Sequence, residues 1–240
     1  DVTINDFTVN FNAPDDWFGV DSLTFNVNDN QGRAITSDGV NIIVSAVNDA
    51  PIITGQTVLS TNEDTPLEIH LTNLAVTDID NQVLSGFTVT VLGGENYFVD
   101  STQTVITPVL NYNGEITVPV FVDDGESQNS QSNTFNLTIT VFPVNDAPII
   151  EDQVELITLE EESLEITLDS IFVSDVDNVY PDGYTLNIVE SEFYTINGTT
   201  ITPIDDLFGD LIVSIYVNDG SEEFSDSDIF SLMVFVVFFS

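Results

Sequence analysis

The 240-residue chain has no cysteine and one histidine, and its 41 Asp and Glu side chains stand against one basic residue, Arg33. The missing cysteine removes any disulfide framework and all thiol chemistry. With His70 as the sole imidazole, zinc sites and Ser–His or Cys–His nucleophilic pairs lack their materials. The near absence of Lys and Arg excludes nucleic-acid binding, which relies on cations displacing counterions from phosphates, and it excludes attachment to anionic membranes. No run suits membrane insertion. The most apolar stretch, Ile229 to Phe239, is shorter than the ~20 residues a spanning helix needs, and its Ser231 and β-branched valines read as a strand. Nor does the opening Asp1-Val2-Thr3 carry the basic start of a signal peptide.

What is present is core material. Hydrophobic residues make up 42% and aromatics 10%, and mean hydropathy is +0.17. Disorder driven by charge also requires low hydrophobicity, so the chain is expected to fold despite a formal net charge of -40. Such an exterior attracts divalent cations, and its self-repulsion destabilises the fold until cations or salt relieve it.

Internal repetition organises the chain. Val47-Asn48-Asp49-Ala50-Pro51-Ile52-Ile53 recurs as Val144-Asn145-Asp146-Ala147-Pro148-Ile149-Ile150, an offset of 97. Asp78-Ile79-Asp80-Asn81 recurs as Asp175-Val176-Asp177-Asn178 at the same offset. Gly19, Gly114 and Gly209 are spaced by 95, and Val122-Asp123-Asp124-Gly125 matches Val217-Asn218-Asp219-Gly220, with Val27-Asn28-Asp29 preceding both. The divisions read as a C-terminal half repeat over 1–47 and complete repeats over 48–144 and 145–240.

Inside a repeat the period is two. Leu67, Ile69 and Leu71 alternate with Glu68, His70 and Thr72, and Phe135, Leu137, Ile139 and Val141 alternate with Asn136, Thr138 and Thr140. These are half-buried strands punctuated by Gly, Asn, Asp and Pro turns, with no 3.6-residue stripe. About seven strands per ~95-residue unit predict an all-β chain of tandem immunoglobulin-like sandwiches arranged end to end. The first unit holds only its last four strands, so its core needs cover from a longer array or from another copy.

The Val-Asn-Asp-Ala-Pro boundaries, the Asp-x-Asp-Asn loop, the Thr-Pro…Asn-Gly stretch and the Val-Asn-Asp-Gly turn resemble bacterial cadherin-like repeats. The resemblance covers the whole chain. It implies a large extracellular or cell-surface adhesin, a non-enzymatic structural or adhesive rod, and calcium at the linkers as in animal cadherins. Ala46 and Ala50 stand where the animal linker has Asp and Asn, and the animal Asp-Arg-Glu motif is missing, which implies fewer or weaker ions per junction.

The residues carry their own reading. Calcium takes six to eight hard oxygen ligands. In the usual strand order the loop with Asp78 and Asp80, the turn with Asp124 and the linker Asn48-Asp49 meet at one end of a repeat. Asp175, Asp177, Asp219 and Asn145-Asp146 do so in the next. The far end of a preceding repeat would add Glu63 and either Asn111 and Asn113 or Asp15 and Asp16. The competing reading is that Asp, Asn and Gly are turn formers and the acidity serves solubility. His70 is expected on an outward face beside Glu68. Acidic pairs recur at boundaries instead of lining one cleft, so ion ligation is expected before a glycosidase dyad. Trp17, Tyr97 and Tyr112 are candidates for a sugar-stacking platform. The expected partners are calcium, neighbouring repeats or identical subunits, and cell-surface glycans or proteins. The alternatives to the rod are a self-assembling fibre subunit whose half domain is completed by a neighbouring chain, and a carbohydrate-binding module.

Overall fold

β-Branched and aromatic residues alternating with Thr, Ser and Asn give strands along the whole chain, and Asn, Asp and Gly at left-handed positions turn them. A computed structural model describes residues 2–6, 8–28, 35–81 and 84–238. Asp29, Arg33 and Phe239 lie outside the described residues. The chain divides into two units, Asp1–Phe142 and Pro143–Ser240. It is all-β, with tandem β-sandwich domains.

The first unit begins with two hairpins: β1 (Val2–Asn5) with β2 (Thr8–Phe11), then β3 (Gly19–Asn28) with β4 (Ile35–Val44). A sandwich follows, made of β5 (Ile52–Gln56), β6 (Leu59–Asn62), β7 (Leu67–Glu68), β8 (Leu74–Thr77), β9 (Thr88–Val91), β10 (Tyr97–Val99), β11 (Val105–Pro108), β12 (Gly114–Asp123) and β13 (Phe135–Phe142). One sheet runs β6-β13-β12-β9; β10-β11-β7 and the pair β5-β8 make the opposite side. Among the described residues of this sandwich, β6 and β13 are the parallel pair. Ile116, Val118, Val120 and Val122 of β12 all point inward against Leu137 and Ile139 of β13, Ile106 and Val91.

The second unit repeats this order with β14 (Ile149–Gln153), β15 (Leu156–Leu159), β16 (Leu164–Glu165), β17 (Ile171–Ser174), β18 (Thr185–Ile188), β19 (Tyr194–Asn197), β20 (Thr200–Pro203), β21 (Gly209–Asn218) and β22 (Phe230–Val237). Its core holds Ile166, Ile201, Val213, Ile215, Val217, Leu232 and Val234. The outward faces differ. Ser60, Thr117, Thr138 and Thr140 in the first sandwich are replaced at register-equivalent positions by Ile157, Ile212, Met233 and Phe235, all exposed.

Two departures from simple alternation have local causes. The run from Leu67 does not continue as one strand to Leu71, because Leu71–Asn73 forms a 3-10 turn. The Asn73 side chain accepts the His70 N–H at 2.7 Å and competes with strand pairing. Ser170 does the same for Thr167 at 3.0 Å. The first long strand breaks between β5 and β6, where it passes from one sheet to the other. There Gln56 acts as a substitute strand: its amide donates to the Thr138 carbonyl at 2.8 Å and accepts the Thr138 N–H at 2.8 Å. Gln153 makes the same pair with Met233 at 2.8 and 2.6 Å.

The hairpin β3–β4 has no second sheet over it among the described residues. Val27 and Val40 are 63% and 43% exposed, while their counterparts Val122 and Leu137 are fully buried. Among the described residues, no helix is long and apolar enough to cross a membrane.

Substituting Gln56→Ala removes both bonds to β13 and should cost about 1–3 kcal/mol. Chemical denaturation should show this as a lower midpoint with an unchanged slope, and Gln153→Ala should behave alike.

Candidate metal centres

Each Asp-x-Asp-Asn loop follows a short strand, β8 or β17, and is closed by its own first carboxylate. Asp78 Oδ1 accepts the N–H groups of Asp80 and Asn81, each at 2.8 Å. Asp80 Oδ2 then accepts the N–H of Asp49 at 2.7 Å, which fastens the linker to the loop. The neighbouring linker residue fastens to the other loop: the Asn48 amide donates to Asp124 Oδ2 at 2.9 Å and lies 3.2 Å from the carbonyls of both Gln128 and Asn129. Asn129 returns a bond to the Asn48 carbonyl at 2.8 Å.

The second unit repeats these stitches except the last, because Phe224 stands where Asn129 does. Asp175 Oδ1 accepts from Asp177 and Asn178 at 2.8 and 2.9 Å, Asp177 Oδ2 accepts the Asp146 N–H at 2.7 Å, and Asn145 donates to Asp219 Oδ2 at 2.9 Å. Burial works against the Asp219 carboxylate, but donors from Asn145, Ser221 and Asn178 more than offset it and hold the group below its usual range.

In the first unit the loops border an open cleft lined by Asp16, Asp49, Thr77, Asp78 and Ile79. An adjoining hollow is lined by Asp16, Asn48, Asp80, Asn81 and Glu126. Asp16 enters from the loop between β2 and β3 with a left-handed φ of 61°, as do Asn111 at 58° and Asp206 at 64° at the matching positions. Asp15 beside it is exposed. Partial loss of hydration first, then the charges of Asp16, Asp80 and Asp78, raise the Asp49 carboxyl above its ordinary value. The Oδ2 atom of Asp78 is buried without a hydrogen-bond partner. Among the described residues no three acidic or histidine side chains are set at metal-ligand geometry.

Glu63 lies at the opposite end of the first sandwich, where its N–H donates to Phe142 at 2.9 Å. Its side chain is 4% exposed and accepts from the Asn113 amide at 3.4 Å; Asn111 donates its N–H to Asp64 at 3.0 Å. His70 does lie on the outward face, 3.7 Å from Glu68 with both side chains more than half exposed. Trp17, Tyr97 and Tyr112 do not form a sugar platform. Tyr97 is 5% exposed in the core with its hydroxyl on the Leu92 carbonyl, and Tyr112 packs against that core. Sequence reasoning missed Glu126, Asn178, Tyr184 and Ser221 as members of these sites; the signal available was the register between repeats, which marks what differs as well as what recurs.

The profile of the cadherin-like domain family matches residues 47–140. No curated protein matches the chain. Among solved structures, human protocadherin-24 EC1-2 is 16% identical, with a TM-score of 0.45, over 78% of this chain and 98% of that one. Human CDH23 EC21-23 is 18% identical, with a TM-score of 0.39, over 91% and 74%. The endo-fucoidan hydrolase MfFcnA4 of glycoside hydrolase family 107 is 15% identical, with a TM-score of 0.30, over 100% and 37%. This chain thus spans 37% of that hydrolase, and 58% of the protocadherin structure PcdhgB3 EC1-4.

A raised carboxyl favours the protonated folded state, so Asp49 withdraws stability as pH climbs through 3.8 and the raised value. Asp49→Asn in a chelator should therefore raise Tm at pH 7 relative to the parent, and the gain should vanish below pH ~3, where both forms are neutral.

Proposed function

We propose that the chain serves as an extracellular adhesive or structural rod of cadherin-like repeats, of the kind found in large bacterial surface adhesins, with calcium bound at its linkers. The observation that carries this reading is the buried, partnerless Oδ2 of Asp78 beside Asp16, Asp49 and Asp80. An anionic oxygen out of water is costly without a positive partner. The described part of the chain offers no Lys or Arg to supply one. A hard divalent cation fits this oxygen-only donor set. Asp49, Asp78 and Asp80 would hold it in the first unit, with Asp16 arriving from the preceding hairpin. Asp146, Asp175 and Asp177 occupy the same positions in the second unit. When bound, the ion neutralises the carboxylates and restricts bending at the linker. Asn48, Asp124, Asn145 and Asp219 act differently: their mutual bonds place the linkers. Glu63, Asn111, Asn113 and Asp15 are proposed to serve further ions or contacts at repeat ends.

The exposure of Val27 and Val40 favours a second arrangement, in which strands from a neighbouring copy or an adjoining repeat cover β3–β4.

Calcium at 100 times its Kd should stabilise the fold by about 2.7 kcal/mol, read as a rise in Tm over the EGTA-treated chain. Asp78→Asn keeps the turn-closing oxygen but loses the charge, and should weaken calcium binding by about 10–100-fold. Superimposable melting and scattering curves with calcium and with EGTA would overturn the calcium reading.

A further inference from the structure

The two linker sites share the stitches made by the loop carboxylates and differ in what meets the first carboxylate of the loop. In the second unit the Tyr184 hydroxyl donates to Asp175 Oδ2, the oxygen equivalent to the orphaned Asp78 Oδ2. The register that matches Gly183 to Gly86 matches Tyr184 to Phe87, which has no hydroxyl to offer. Tyr184 is held in place by Tyr180, whose ring packs edge-on at 5.0 Å and whose hydroxyl donates to the Leu168 carbonyl.

A second exchange works in the same direction. Ser221 donates to the Asn145 side-chain oxygen at 2.8 Å, and Asn178 donates to the same oxygen at 3.0 Å. The position of Ser221 is Glu126 in the first unit, where it adds a carboxylate to the hollow beside Asp16 and Asp80. One loop site therefore has an unsatisfied carboxylate oxygen with Glu126 in the adjoining hollow, while in the other a hydroxyl meets that oxygen and Ser221 stands in place of the glutamate.

Resting on the calcium reading above, we propose that the two linkers are functionally unequal. The Asp78 site is the high-affinity cation site. At the Asp175 site Tyr184 occupies the ligand oxygen and acts as a built-in competitor, so this linker binds divalent cations weakly and holds its shape by hydrogen bonds. A cation there must displace the hydroxyl, while Asp78 Oδ2 has no hydrogen bond to give up.

The test is calorimetric titration of the full chain with calcium, for the parent, Tyr184→Phe and Phe87→Tyr, with melting curves in chelator and in calcium. The parent should show two classes of site separated by about tenfold or more, the range in which groups hydrogen-bonded to metal ligands act. Tyr184→Phe should tighten the weak class toward the strong one, lower Tm in chelator and regain the loss in calcium. Phe87→Tyr should weaken the strong class; if that variant fails to fold, Tyr184→Phe decides. Binding that persists with Tyr184→Phe leaving the weak class unchanged, or lowering Tm equally with and without calcium, overturns the inequality and leaves the calcium reading standing. No calcium binding by any of the three proteins overturns both.

Discussion

Each linker is fastened to its sandwich by carboxylates that act as hydrogen-bond acceptors, and the arrangement of the loops depends on those bonds. Asp80 and Asp177 hold the backbone of the linker Asp, while Asp124 and Asp219 hold the side chain of the linker Asn. Two loops and a linker brought together by such bonds therefore concentrate charge at one end of the sandwich, and no Lys or Arg among the described residues relieves it. The bonds that make the site well defined also make it electrostatically unfinished. The raised carboxyl of Asp49 and the partnerless oxygen of Asp78 are the two marks of that condition.

The strand order and the acidic loops are legible in the sequence because both leave regular traces. Alternation reports a two-sided sheet, and the usual strand order of a sandwich, applied to loops marked by the repeated offset, groups Asn48, Asp78, Asp80 and Asp124. The crossing strand is not legible. It depends on Gln56 reaching Thr138, 82 residues away, and nothing local to Gln56 marks it as a substitute strand. The 3-10 turn after Ile69 escapes for a related reason, since one side-chain amide on Asn73 outcompetes the next ladder bond. Tyr184 is hidden differently. Looking for residues that recur finds what two sites have in common, and Tyr184 matters because its counterpart is Phe87.

The two sandwiches show which features tolerate change. Their inward positions remain Ile, Leu and Val with nearly complete burial, because close packing penalises any change in volume. The stitches made by the loop carboxylates remain as well, although Phe224 stands where Asn129 donates to the linker. Outward strand positions change freely from Ser and Thr to Ile, Met and Phe. The residues beside the stitches change too, and each such change is small: a hydroxyl at Tyr184, a carboxylate exchanged for a hydroxyl at Ser221. A single hydroxyl decides whether a buried carboxylate oxygen has a partner, and that choice is worth about 1–3 kcal/mol. This is comparable to the free energy separating a tight cation site from a weak one, at about 1.4 kcal/mol per tenfold in affinity. On the calcium reading proposed above, one substitution is enough to retune a loop site without disturbing either the core or the carboxylate bonds that position the linker.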